Sequence, residues 1–136
     1  MKEYAIRLEK GADLKASIED ICLKNGFNTC VVLSAVGCVY QARFRRAKAT
    51  SYFEKVEDYE IVSLIGTVCQ GKVHMHICLA EDSGAVVGGH LEKGCLINTT
   101  CELVLGVLDE YESQRVFDEN TGYDEIVFKK KVQTND

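Results

Sequence analysis

The chain has 136 residues, of which 46% are hydrophobic and 27% charged, and its 16 basic and 21 acidic residues give a formal net charge of −5. That length suits one domain around a single core. The acidic balance argues against a generic binder of nucleic acid or of anionic membranes, because both attract a positively charged surface.

We expect one domain over residues 1–136, with a core at about 4–128 and a short C-terminal tail at 129–136. No apolar run approaches the roughly 20 residues that a membrane-spanning helix needs. Residues 1–10 also lack the apolar segment of a signal peptide. The expected location is therefore the cytoplasm.

The first 26 residues predict an edge strand and one amphipathic helix. Residues 4–8 alternate polar and apolar side chains, as an edge strand does. Asp13 can cap a helix that ends about three turns later at Asn25-Gly26. The apolar side chains of this helix recur at i, i+4, i+7 and i+8 and form one stripe: Leu14, Ile18, Ile21 and Cys22.

The remainder of the chain is mostly strand in character. Three runs are apolar at both their odd- and even-numbered positions: residues 29–40, 61–69 and 101–108. This pattern is typical of strands that are covered on both faces. Residues 49–54 and 123–131 carry weaker strand patterns. Because one helix covers only one face of a sheet, we expect the sheet to close on itself, or another copy of the chain to pack on it, or both.

Seven cysteines are present, an odd number, and no two of them form a C-x-x-C pair. Most lie within apolar runs, where a thiol behaves as a small hydrophobe. A disulfide framework is not expected in a reducing compartment. We therefore predict buried, inert thiols.

All three histidines fall within seventeen residues, and two of them form an H-x-H pair, His74 and His76. If residues 71–79 form a strand, both point to the face opposite a run of apolar side chains. A turn at 82–84 can bring His90 back beside this strand as part of a hairpin. Gly88-Gly89 removes side chains just before His90, so the backbone can closely approach a neighbouring strand or a ligand.

Three neutral imidazoles with an open fourth position suit Zn²⁺, and Mn²⁺, Fe²⁺ or Ni²⁺ accept the same ligand type. The open position would hold water or an oxygen of a small molecule. Three alternatives stay open from the residues alone. The histidines can be hydrogen-bonded structural residues, a proton-linked switch, or a buried hydrogen-bond network across a subunit contact.

Several motifs resemble the plant-and-prokaryote-conserved (PPC) domain. That family's G-x-x-H-x-H, G-G-H-L and T-x-E motifs match residues 71–76, 88–91 and 100–102. Its F-E-I-x-S-L-x-G strand is similar to YEIVSLIGT at 59–67, its S-A-x-G element to residues 34–37, and its opening R-L-x-x-G to residues 7–11. The similarity runs from residue 4 to about 128.

The resemblance implies an α/β fold of the α+β type, with a mainly antiparallel sheet of about six or seven strands, one prominent helix and assembly as a homotrimer. It also implies that His74, His76 and His90 form the family's histidine site, which holds a metal in some prokaryotic members. Plant members bind A·T-rich DNA through AT-hooks. This chain has no R-G-R-P core and no proline, so minor-groove binding by that device is unsupported.

Two further sets of residues are candidates for a role. Arg43, Arg45 and Arg46 belong to the strongest basic cluster, which suits a phosphate contact, a subunit contact or simply a solvated strand end. Glu102 lies in an apolar strand, where an unpaired carboxylate is costly. It is a candidate to orient a histidine or to act as a general base.

Three functions follow as hypotheses. The first is a protein that binds a metal or a small ligand at the three histidines, with metal-assisted catalysis as an extension. The second is a DNA-associated regulator, by analogy with the AT-hook members. The third is an interaction module whose histidines stabilise the trimer. No reaction can be named from the chain, because no pairing of a nucleophile with a base is recognisable.

Overall fold

A computed structural model describes residues 1–133 as one helix and eight strands, all of whose pairings are antiparallel. This confirms the predicted α+β class; residues 134–136 of the predicted tail lie outside the described part. The elements, in chain order, are β1 (Lys2–Glu9), α1 (Leu14–Asn25), β2 (Thr29–Arg45), β3 (Tyr52–Cys69), β4 (Lys72–Ala80), β5 (Val86–Leu91), β6 (Leu96–Val107), β7 (Gln114–Asp118) and β8 (Tyr123–Val127).

Helix α1 forms where the sequence predicts it. The Asp13 carboxylate accepts a hydrogen bond from the backbone N–H of Ala16 at 2.9 Å, which caps the first turn. Gly26 ends the helix in the left-handed conformation, with φ of +66°. The helix packs on the sheet through the predicted apolar stripe, all of it buried: Leu14, Ile18, Ile21 and Cys22.

The main sheet has six strands in the order β1-β6-β2-β3-β4-β5. The end of β2 also pairs with β5, with Phe44 opposite Leu91 and Arg45 opposite His90. Strands β2, β3, β4 and β5 therefore close into a ring. Register shifts near Val39 and near Ile61 interrupt the regular pairing, and irregularities of this kind let long strands bend. A sheet that closes on itself is one of the two arrangements predicted from the strands that are apolar on both faces.

Two strand predictions need correction. Residues 49–54 and 61–69 do not form separate strands, because β3 runs unbroken from Tyr52 to Cys69. Most of the charged residues between them, such as Asp58, lie on exposed positions of that strand and do not interrupt it. In addition, β2 continues past residue 40 to Arg45.

The C-terminal segment forms a separate two-stranded sheet, β7–β8, whose first strand the sequence pattern does not predict. Strand β8 covers only the first half of the predicted 123–131. Beyond it, the backbone N–H of Glu112 donates to the carbonyl of Lys129, and that of Lys131 donates to the carbonyl of Glu110, both at 2.8 Å. The beginning of the predicted tail is thus tied to the loop after β6.

All seven cysteines are free thiols, and five of them are buried, as predicted. Cys38 and Cys78 are half-buried. Burial raises the pKa of Cys95 and of Cys101 to about 11, so both stay protonated and poorly nucleophilic at neutral pH.

The middle of the long strands leaves aliphatic side chains exposed. They come from the adjacent strands β2 and β3, and each exposes about half of its surface or more: Leu33, Val36, Val62 and Ile65. Helix α1, at 12 residues, does not have the length and apolar character needed to cross a membrane.

Candidate functional site

The alternation of β4 places two histidines on one face of the sheet. Val73, Met75, Ile77 and Leu79 are buried in the core, whereas His74 and His76 point outward and are exposed. This is the arrangement that the sequence pattern predicts. The third histidine arrives on β5, where His90 lies directly opposite His76 in the antiparallel register.

The three imidazoles converge. One ring nitrogen from each of His74, His76 and His90 lies within 4.8 Å of the others. The ring centroids are 5.5, 5.3 and 5.8 Å apart for the pairs 74–76, 74–90 and 76–90. No backbone change is needed to bring the three rings to one point.

This donor set fits a divalent metal ion. A tetrahedral zinc with bonds of roughly 2.0–2.1 Å holds its nitrogens about 3.3 Å apart, so small side-chain rotations bring the three nitrogens within range. Burial, helped by the charge of Arg45, lowers the pKa of His90 to about 4. Burial, followed by the charge of Arg115, also lowers the pKa of His74. The rings of His74 and His90 are therefore neutral near pH 7, the state in which imidazole binds a metal.

A carboxylate stands behind the third histidine. One Glu92 oxygen lies 4.0 Å from Nε2 of His90, and the other lies 3.7 Å from Nζ of Lys15 on α1. Both members of the Lys15–Glu92 pair are largely buried. A carboxylate that accepts a hydrogen bond from a ring N–H orients a metal-binding histidine. At 4.0 Å, Glu92 is beyond hydrogen-bond distance of His90 and would need a small side-chain movement to take that role. The sequence pattern did not single out Glu92.

The two glycines before His90 permit a close approach between strands. A Cβ on Gly88 would lie 2.3 Å from the carbonyl oxygen of Ile77. A Cβ on Gly89 would lie 2.5 Å from the carbonyl oxygen of Arg45. Strand β5 can therefore fit between β4 and β2 and place His90 only because neither residue has a side chain.

The histidines line a cavity of about 840 Å³, which falls in the size range of small-molecule sites. Its floor comes from β4 and β5, and one wall comes from the β2–β3 loop. The hairpin β7–β8 supplies another wall with Arg115, Tyr123, Asp124 and Glu125. Sequence reasoning missed this wall, because only the tertiary fold brings the hairpin to the histidines.

Comparison with known proteins identifies the family. Residues 1–109 match the model of the Plants and Prokaryotes Conserved (PCC) domain. The chain belongs to this family. It is the PPC family that the motifs of the sequence resemble, and the matched residues include all three histidines.

Similar proteins cover nearly the whole PPC chain. It is 40% identical over 133 residues to the bifunctional protein GlmU of Synechococcus sp. (strain JA-3-3Ab). The matched region covers 98% of this chain and 21% of that relative. The chain thus spans about a fifth of the length of the curated relatives it matches. A hypothetical protein of Salmonella enterica has the same fold, with a TM-score of 0.92, 26% identity, and 96% and 95% of the two chains covered.

Two further solved structures bear on the site. A protein of Archaeoglobus fulgidus described as metal-containing is 31% identical, with a TM-score of 0.76 and 93% and 94% of the two chains covered. A protein of Bacteroides thetaiotaomicron described as a candidate DNA-binding protein is 18% identical, with a TM-score of 0.81 and 93% and 91% covered. At that identity, the second likeness shows the fold alone.

The remaining predicted site residues of this PPC chain separate into two groups. Arg45, Arg46, Gly88 and Gly89 line the cavity of the histidines. Arg43 lies outside it and is engaged elsewhere, with its Nε 3.6 Å from a Glu54 oxygen.

Glu102 does not line this cavity either. It is exposed on β6, opposite Arg7 on β1 and Val36 on β2, whereas the histidines lie on β4 and β5. Within residues 1–133 Glu102 therefore lies away from the histidines, and Glu92 is the carboxylate nearest to His90 among the ion pairs of these residues.

Proposed function

We propose that this PPC protein holds a divalent metal ion, Zn²⁺ in the first place, at His74, His76 and His90, and presents its open coordination position to a small ligand. The observation that carries the proposal is the convergence of three ring nitrogens within 4.8 Å. The description of the Archaeoglobus fulgidus relative as metal-containing supports it.

The protein's own groups fit that role. The rings of His74 and His90 are neutral near pH 7, the Lys15–Glu92 pair lies beside the third ring, and the cavity of about 840 Å³ leaves room beside the ion. A divalent ion bound there would supply Lewis acidity toward an oxygen ligand. We assign no reaction to it.

The experiment is zinc stoichiometry by elemental analysis after loading and dialysis. We expect close to one zinc per chain in the wild type, and none in the variant with His74, His76 and His90 all changed to alanine. Cys78→Ser is the matched control, because Cys78 lies on the same face of β4 but lies outside the cluster. A triple variant that retains the wild-type stoichiometry would refute the site.

We propose further that the chain assembles as a homotrimer through the exposed aliphatic side chains of β2 and β3. Val36 and Ile65 expose 54% and 63% of their surface, which is unusual for adjacent central strands unless a partner covers them.

Sedimentation equilibrium measures the mass of the assembly. We expect three times the 15.1 kDa chain mass for the wild type and a smaller mass for Val36→Asp. Val132→Asp, at a side chain that is 86% exposed, should leave the trimer intact. A monomeric wild type would contradict the assembly.

A DNA-associated role is the second candidate, favoured by the basic side chains that gather at the cavity. Phosphate contacts weaken steeply with salt, so binding should be strongest at low ionic strength. Fluorescence anisotropy of a labelled A·T-rich duplex, titrated at 20 mM and 200 mM salt, tests it. Absence of binding at the lower salt concentration removes this candidate.

A further inference from the structure

The cavity above the histidines carries an excess of positive charge. Five basic side chains line it, and two carboxylates accompany them: Arg45, Arg46, Lys48, Lys72 and Arg115, with Asp124 and Glu125. The chain as a whole carries −5. A local excess of three positive charges on an acidic protein favours an anion at this place.

The basic side chains of the cavity lack carboxylate partners. Within residues 1–133, none of the five has a carboxylate oxygen within 4.0 Å. Arg43, two residues from Arg45, differs: it pairs with Glu54 and stacks on the ring of Tyr52 at 4.4 Å. Arg43 outside the cavity is thus directly paired, whereas the five basic side chains of the cavity are not.

Arg115 is the basic side chain that the hairpin brings to the cavity. Its Nη1 donates to the carbonyl oxygen of Asp124 at 3.2 Å, which fixes the guanidinium to β8. Its buried Nη2 has no hydrogen-bond acceptor within the described residues. A buried guanidinium nitrogen without an acceptor is costly, and an oxyanion drawn into the cavity beside Arg115 would supply the missing acceptor.

Arg45 approaches the histidines from the other side. It lies opposite His90 in the β2–β5 register, as His90 lies opposite His76. Arg115 and Arg45 both line the cavity of the histidines, and they come from two separate sheets.

We propose that this cavity binds the phosphoryl group of a small phosphorylated molecule, with Arg115 and Arg45 as its anchors and hairpin β7–β8 as the element that selects it. The proposal rests on the metal site proposed above, because a phosphate oxygen takes the coordination position that the histidines leave open. A phosphate monoester carries roughly −1.5 to −2 near neutral pH. That charge matches the local excess better than a single carboxylate does.

The hairpin is suited to this selecting role by its position in the chain. The family model matches residues 1–109, and the hairpin lies beyond them at 114–127. The histidines thus come from the part of the chain that matches the family, while Arg115 and its neighbours come from a separate small sheet. We infer that the hairpin determines which anion reaches the histidine site.

Isothermal titration calorimetry of zinc-loaded protein with inorganic phosphate tests the proposal, with malonate as the carboxylate probe at equal ionic strength. We expect saturable phosphate binding, tighter than malonate binding. Arg115→Gln should weaken phosphate binding by about tenfold or more, because it removes a charge-assisted hydrogen bond. Arg43→Gln, the control outside the cavity, should stay within twofold of the wild type.

Zinc content measured on the same samples separates the two proposals. A wild type that holds zinc but shows no saturable phosphate binding overturns the phosphate site and leaves the metal site standing. Malonate binding tighter than phosphate, or Arg115→Gln indistinguishable from wild type, also overturns it. If Arg115→Gln proves unfolded by circular dichroism, Arg45→Gln serves in its place under the same criteria. Duplex DNA that binds where phosphate does not would contradict the small-molecule assignment.

Discussion

His76 and His90 lie directly opposite each other on β4 and β5, with their ring centroids 5.8 Å apart. The register of one strand pair therefore fixes two of the three candidate ligands. The H-x-H spacing along β4 then fixes the third, since His74 is two residues away on the same face. The site is a consequence of strand register.

Glu92 should matter to metal affinity, and Glu102 should not. Glu92 lies 4.0 Å from His90 and 3.7 Å from Lys15. Glu92→Gln removes the carboxylate that is close enough to close on a metal-bound His90, and it should weaken zinc binding by roughly 10- to 100-fold. Competition with a chromogenic chelator measures the affinity. Glu102→Gln is the matched control on β6. Equal losses for both variants would mean that Glu92 has no special role.

The metal-free protein should lose stability in mild acid. Burial lowers the pKa of His90 from 6.5 to about 4, so below about pH 6.5 the unfolded chain takes up a proton there that the folded chain does not. The free energy of unfolding therefore falls as the pH drops from 6.5 toward 4, by up to about 3 kcal/mol from this group. Urea unfolding in the presence of a chelator, at several pH values, measures it.

His90→Gln provides the control for that pH dependence. Carboxylates also titrate near pH 4, but they are the same in both proteins. The variant should show a shallower decline of unfolding free energy between pH 6.5 and 4 than the wild type. Parallel declines would contradict the assignment to His90.

Gly89 should tolerate no side chain. A Cβ there would meet the Arg45 carbonyl oxygen at 2.5 Å and Cδ2 of Phe44 at 2.7 Å. Gly89→Ala must push β5 from β2, and we expect a loss of about 1–3 kcal/mol in urea unfolding. At Gly106, a Cβ meets only the side chains of Met1 and Leu33, which can move. Gly106→Ala should therefore cost clearly less, and an equal cost would contradict the account of β5.

Local patterns in the sequence predict much of the fold and the histidine cluster. The cap at Asp13, the stop at Gly26 and the alternation of β4 are all short-range signals, and the structure follows each of them. The H-x-H pair and the turn before His90 predicted the convergence, since a hairpin places nearby residues side by side.

The parts that the sequence does not predict depend on contacts between distant residues. Strand β7 is only five residues long and mostly exposed, so its pattern is weak. Arg115 joins the cavity only because the hairpin packs there, some forty residues after His74. Likewise, Glu92 gains its position from the pairing with Lys15 on α1, which no local pattern indicates.

The position of bound zinc can be read from an anomalous difference map of zinc-loaded crystals, with data collected on both sides of the zinc absorption edge. We expect a single strong peak about 2.0–2.1 Å from one nitrogen of each of His74, His76 and His90. A map in which zinc sits elsewhere, while the three rings point apart to separate hydrogen-bond partners, would contradict it.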